Sequence, residues 1–412
     1  MHARAFVLAG LTPPLLLHAV AVHAQSREIG STAATVYADD REYREQPLRL
    51  GGLTVSIASE ARVEYDSNVF AEPDNENDDM RFELSPSVRV RTPPGVISAQ
   101  ASASGTVRRF AQEKTENTET WLVDGQVRWE LDKVSLASGR IFAQRAIEER
   151  GDPESNIGQR FGPRRTDIQG VEARYKRDPG RLMFDVEATA TRFDAVSRLD
   201  DTRDFKSYTA RTTVGLRTTS ALFVTATGFV ALREFRLDRT PLGIKRDSMT
   251  YGARLGVDIR PMGLFEGNFS AGVFRFDPDE PTAKGRTGLS VSGNLIYRPR
   301  RRTAVLLNAF RGDVATFRNG AQQRTDATVR LSVQQEVRHN LLAAPFIGYR
   351  KTTYNGSGDK QRTFTMGAEV EYLFSRRMSL SAFATYGKRD SDDQAADNFK
   401  RLRGGLSLRM RF

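Results

Sequence analysis

Arg401-Leu-Arg-Gly-Gly-Leu-Ser-Leu-Arg-Met-Arg-Phe412 is the stretch whose reading decides the fold. Leu402, Leu406, Leu408, Met410 and Phe412 fall on one side of a period of two, and Arg401, Arg403, Ser407, Arg409 and Arg411 fall on the other. A helix repeats its apolar residues every three or four positions, so strict alternation marks a strand with one apolar and one charged face.

The same period runs back through the chain to Leu53. Phe82, Leu84, Val88 and Val90 alternate with Glu83, Ser85, Ser87, Arg89 and Arg91; Tyr251, Ala253, Leu255, Val257 and Ile259 alternate with Arg254, Gly256, Asp258 and Arg260. Short connections fall at Pro93 to Gly95, Asp132-Lys133, Asp178 to Gly180, Thr219-Ser220, Pro261 to Gly263, Pro299 to Arg302, His339-Asn340 and Arg376-Arg377. Longer polar ones fall near 71–80, 112–119, 148–163, 195–203, 238–246, 278–285, 318–323, 356–360 and 391–397. Short and long take turns, as they do where tight periplasmic turns face longer outer loops, and the count predicts about 18 strands, an even number. The expected fold is an all-β, antiparallel up-and-down transmembrane β-barrel of the outer-membrane type over residues 49–412, with both termini in the periplasm. A soluble β-sandwich also alternates, but it needs neither this loop parity nor strands long enough to cross a bilayer.

The N-terminus supports export. Arg4 precedes an apolar run, and Val22-His-Ala24 offers small residues where a signal peptidase reads, so residues 1–24 are expected to be a signal peptide. Residues 25–48 are polar, without a period, and read as a periplasmic tail too short for a plug domain or tandem periplasmic domains. The chain has 412 residues and no cysteine, which removes disulfides, thiolate catalysis and thiolate metal sites. The expected location is the outer membrane of a Gram-negative cell. A strand ending on an aromatic residue is similar to the C-terminal signature that outer-membrane assembly machinery recognises, which gives Phe412 the role of assembly signal.

Charge on a lipid face costs about 2–4 kcal/mol at the midplane, so the polar set of each strand points inward. Arg89, Arg91, Arg128, Arg174, Arg211, Arg254, Arg330, Arg401, Arg403, Arg409 and Arg411 are therefore candidate lumen-lining cations, and the formal net charge is +11. One reading is a channel lined for anionic solutes or polymers; the other is Arg–Glu ladders that fill and brace the lumen. The cations are spread over many strands rather than gathered in one patch, which argues against nucleic acid. The acidic loops Asp74 to Asp79, Glu113 to Glu119 and Asp390 to Asp393 lack EF-hand spacing and read as solvated loops.

No catalytic, cofactor-binding or metal-binding residue is expected. Of four histidines, His2, His18 and His23 precede the expected cleavage point, and His339 sits in a periplasmic turn, far from outer-leaflet chemistry. The protein is not expected to be an enzyme.

Arg62-Val-Glu-Tyr-Asp-Ser-Asn-Val-Phe70, the acidic loop after it and Met80-Arg-Phe-Glu-Leu-Ser-Pro-Ser-Val-Arg89 resemble the opening of the putative β-barrel porin type 2 family. That resemblance implies a role in envelope polysaccharide systems. It supplies no catalytic or ligand residue. The expected function is a conduit for exopolysaccharide or capsular polysaccharide, with a diffusion porin for small anionic solutes or a plugged structural or adhesion barrel as alternatives. Expected partners are outer-membrane lipid and lipopolysaccharide, the assembly machinery and periplasmic export components.

Overall fold

A computed structural model of the chain describes residues 47–412 except 75, 156–161, 238–242, 244, 262, 319–320 and 393–396. The expected signal peptide and nearly all of the tail lie outside the described residues.

A three-residue strand β1 (Leu48–Leu50) turns back on β2 (Leu53–Asp66). There follow β3 (Asp79–Arg91), β4 (Ile97–Phe110), β5 (Thr118–Glu130), β6 (Ser135–Ile147), β7 (Arg165–Arg177), β8 (Leu182–Ala195), β9 (Phe205–Arg217) and β10 (Leu222–Phe235). The second half comprises β11 (Ser248–Ile259), β12 (Phe265–Pro278), β13 (Arg286–Arg300), β14 (Thr303–Val314) and β15 (Gln323–Arg338). It ends with β16 (Leu341–Asn355), β17 (Lys360–Ser375), β18 (Met378–Ser391) and β19 (Phe399–Arg411).

Each strand from β2 to β19 pairs antiparallel with the next, and β19 pairs with β2 from Arg403↔Asp66 to Arg411↔Ala58. The wall is thus a closed ring of 18 strands. Closure matters because a backbone N–H or C=O has no water to bond inside a bilayer, so a spanning sheet cannot leave an edge. Phe412 extends the closing seam: its N–H donates to the Ile57 carbonyl at 2.8 Å and its carbonyl accepts from the Ile57 N–H at 3.2 Å.

The expected alternation sorts side chains in space. Leu255, Ile141 and Leu406 project outward at 71, 66 and 55% exposure, while Arg254, one residue from Leu255, is 6% exposed on the lumen side. Tight turns such as His339-Asn340 and Arg376-Arg377 lie at one end, and the longer connections lie at the other, which the barrel rule assigns to the cell exterior.

Side-chain burial is uneven along the barrel axis. An apolar cluster of Phe142, Ile168, Phe193 and Phe205, with Phe235 and Phe317 packed against it, lies in the outer part of the lumen. Gly170 makes room for it: a Cβ there would stand 2.4 Å from Phe142 Cζ. The acidic loops are less solvated than their composition predicts. Asp79 and Glu116 are buried, because Asp79 accepts the Gln112 and Glu113 N–H groups and Glu116 takes Arg150 at 2.7 Å.

Candidate functional site

The connection between β6 and β7 turns into the lumen. Glu148-Glu-Arg-Gly-Asp-Pro-Glu-Ser155 runs inward, with the Glu154 and Ser155 carbonyls accepting Arg164 Nη1 from beside β7 at 3.1 and 3.2 Å. β15 is the ninth strand on from β6 in a ring of 18, and the Glu154 carboxylate reaches Arg324 of β15 at 3.3 Å, so loop and side chains together bridge the lumen. On the way Glu149 pairs with Arg108 of β4 at 2.7 Å. The Arg150 carbonyl accepts Arg401 Nη1 at 2.7 Å, and the Gly151 carbonyl accepts Arg389 Nη2. Glu148 takes Arg203 at 2.9 Å and Arg164 at 3.3 Å.

A second loop meets it. The β14–β15 connection bends inward so that Phe317 packs against Phe205 and Phe235 at ring separations of 6.1 and 6.2 Å. Thr316 Oγ1 and the Phe317 N–H both donate to the Glu154 carboxylate, at 2.6 and 2.9 Å. Arg318 then pairs with Asp359 at 2.7 Å and Asp397 at 3.3 Å and lies over the Tyr354 ring. The two loops form one plug across the outer lumen.

Its electrostatics are not uniform. Burial drives the Glu149 carboxyl up, but the Arg108 and Arg81 guanidiniums outweigh it and hold the group down at about 2. Burial also drives Asp152 up, with Arg350 and Arg389 opposing and Glu149 and Glu148 adding to the rise, and here burial wins: Asp152 is pushed up to about 7. Its nearest guanidinium, Arg350, is 3.9 Å away. Glu154 is strained, with φ +75°, a region that residues bearing a Cβ adopt rarely and keep only where surrounding contacts enforce it.

The predicted lumen cations all lie on the inward parity. Most are tied to carboxylates. Arg128 meets Glu130 at 3.2 Å, Arg211 meets Glu187 at 2.9 Å, and Arg174 grips Asp185 through two nitrogens. Arg403 stands 4.0 Å from Glu64, Arg409 2.8 Å from Glu60 and Arg411 3.6 Å from Glu371. Arg401 holds Asp66 through Nε at 2.8 Å and Nη2 at 2.5 Å. Arg89 and Arg91 are exposed near the inner mouth, where Arg91 bonds Gln100, and Arg330 stacks over Phe346 at 4.0 Å. Arg254 lies over Phe229 at 4.7 Å, with a single 3.4 Å hydrogen bond to Ser290.

The Tyr65-Asp-Ser-Asn68 stretch acquires a physical role. Asp66 binds Arg401 across the seam, and Asn68 donates to the Lys400 and Glu72 carbonyls while accepting the Glu72 N–H. The motif therefore latches the first strand to the last at their outer ends. The plug residues Glu148, Glu149, Asp152 and Glu154 and their anchors Arg324, Arg350 and Arg389 were not singled out by the sequence. The available signal was length with charge, since 148–163 is the longest connection and begins with acids facing a cationic lumen.

Comparison with known proteins agrees with this architecture. The family Putative beta-barrel porin 2 matches residues 41–412. The chain belongs to that family. It is an outer-membrane β-barrel porin. Among solved structures it is similar to OccK2 (OpdF) of Pseudomonas aeruginosa, with 11% identity and TM-score 0.48 over 88% of this chain and 99% of that one. A BenF-like porin from Pseudomonas fluorescens Pf-5 gives 9% identity and TM-score 0.48 over 87 and 99%. The siderophore receptor PirA of Acinetobacter baumannii gives 7% and 0.41 over 86 and 80%. No curated protein sequence matches the chain.

Proposed function

We propose that this porin is a gated conduit, closed at rest by its two lumen loops, and that its cargo is a secreted polysaccharide. The observation that carries the reading is the plug. A diffusion porin works through a standing opening, whereas a loop tied across the lumen by buried ion pairs has to be released before anything bulky passes. Below the plug the lumen offers Thr189, Thr209 and Ser207 hydroxyls beside Phe229 and Phe274, a mixture suited to the hydroxyls and C–H faces of sugars. Periplasmic export components are the natural source of the opening force, and lipopolysaccharide and the assembly machinery are the remaining partners. We assign no enzymatic step: His339 occupies the β15–β16 turn, at the end opposite the loops.

A selective channel for small anionic solutes is the second reading, favoured by Arg254. Deleting the gene separates the two. Export predicts loss of surface polymer with normal entry of small nutrients; a diffusion channel predicts normal polymer with slower solute entry. Unchanged polymer in the deletion strain would sink the export reading.

A further inference from the structure

Beneath the plug, strands β7 to β14 line a pocket of about 980 Å³ that opens to solvent. Its wall carries three carboxylates and three guanidiniums, Glu172, Glu187, Asp313, Arg211, Arg233 and Arg254. The carboxylates are all committed: Glu187 to Arg211 at 2.9 Å, Asp313 to Arg233 at 2.6 Å and Glu172 to Arg140 at 3.3 Å. Arg254 is the exception. Among the described residues no carboxylate lies within ion-pairing distance of it, and its buried Nε has no hydrogen-bond partner. It is 6% exposed, and Phe229 holds one face of its guanidinium. Leaving a buried charge without a counter-charge is costly, so a protein that keeps one in a lumen holds it for something that arrives.

We infer that this cavity is a binding site for a carboxylate-bearing sugar unit, with Arg254 taking the carboxylate. A guanidinium presents two parallel N–H donors that match the two oxygens of a carboxylate. Thr189, Thr191, Ser207 and Thr209 line the same cavity with hydroxyls that both donate and accept, as sugar hydroxyls require, and Phe274 supplies an apolar face. A hydrophobic acid would leave those hydroxyls unpaired, and a neutral sugar would leave Arg254 uncompensated. The inference rests on the conduit reading only for the origin of the sugar: the same chemistry fits a unit of an acidic polymer in transit or a free sugar acid.

Isothermal titration calorimetry on the folded full-length barrel in detergent tests it, with galacturonate, galactose and a galacturonate pentamer as probes. Galacturonate is expected to bind at least about tenfold more tightly than galactose, the difference a charged hydrogen-bonded pair supplies. Arg254→Gln should lose about tenfold or more for galacturonate and little for galactose. Arg254→Lys, which keeps the charge but loses the paired donors and the stacking on Phe229, should bind galacturonate with an affinity between those of the parent and Arg254→Gln, and heat-modifiable gel migration checks that each variant is folded. A pentamer bound more tightly than the monomer supports the site with a polymer as its ligand; equal affinity supports it with a free sugar acid. Equal binding of galacturonate and galactose, no detectable heat at millimolar sugar, or Arg254→Gln indistinguishable from the parent would overturn the site. Polymer persisting in the deletion strain beside Arg254-dependent binding would remove the export reading and leave the site standing.

Discussion

With its backbone at φ +75°, Glu154 is held by the Thr316 hydroxyl, the Phe317 N–H and Arg324 together, so the strained conformation and the carboxylate contacts sustain each other. Glu154→Gln keeps the shape and removes the charge. Breaking a buried ion pair costs about 3–5 kcal/mol, and Arg324 retains Asp326 at 3.4 Å, which places the effect at the low end. The ratio of open to closed channels in planar bilayers should rise by about a hundredfold, because each tenfold corresponds to about 1.4 kcal/mol. An unchanged closed fraction would remove Glu154 from the gate. Asp152 gives the plug a pH dependence of definite sign. Its carboxyl rises from an ordinary 3.8 to about 7 in the closed state, so closure binds a proton that the released loop gives up. That contribution is fully present below pH 4 and is lost as pH rises through 7. Glu149 acts oppositely and weakens closure only as pH falls below its ordinary 4.5. Opening should therefore increase between about pH 5 and pH 7, and Asp152→Asn should flatten that rise.

In the plug loop, Gly151 has φ +90° and lies against Phe399, whose Cζ would stand 3.1 Å from an added Cβ. Gly151→Ala strains both the backbone and that contact, and it displaces the carbonyl that Arg389 holds, so it should favour the open channel while leaving heat-modifiable migration of the barrel intact. The last strand makes the complementary case for the wall. Leu406 is 55% exposed toward lipid near the middle of β19, and Leu406→Arg should destabilise the barrel by about 2–4 kcal/mol in folding titrations. Arg409→Leu, on the lumen side, should cost less, since Glu60 keeps Arg62 at 2.9 Å; equal effects would mean the two faces have been exchanged. These strands were legible because each residue's environment follows from parity alone: a period of two fixes which side meets lipid, and Asp132-Lys133 or Arg376-Arg377 leaves no room except for a tight turn. Glu148-Glu-Arg-Gly-Asp-Pro-Glu154 was not legible in the same way. An acid-rich loop reads identically whether it is solvated outside or pinned inside, and the decision rests on Arg324, Arg350 and Arg389, which are distant in sequence and come together only when the ring closes.

Across the whole barrel, charge is arranged less as a field than as a frame. The excess of cations left two readings open, a lumen that attracts anions and Arg–Glu ladders that brace it, and Arg128, Arg174, Arg211, Arg401, Arg403, Arg409 and Arg411 each face a carboxylate. Paired charges at contact distance largely cancel at the channel axis, which favours the bracing reading. The seam shows the consequence most sharply. Neutralising Arg401, Arg403 and Arg409 together would strand Asp66, leave Glu64 and Glu60 to Arg81 and Arg62 alone, and unlatch β19 from β2. That triple variant should shift ion preference toward cations and also lower thermal stability. Arg254 is different, because neutralising it strands no carboxylate. In a channel already opened by Glu154→Gln, reversal potentials across a salt gradient should show a modest anion preference that fades from 0.1 to 1 M salt, as the screening length falls from about 10 to about 3 Å. Adding Arg254→Gln should reduce that preference while conductance stays nearly constant, since the side chain lies against Phe229 rather than across the path. A strong preference that survives 1 M salt, or one insensitive to Arg254, would show that the paired arginines set the field after all, and the framework reading of the lumen would fail with it.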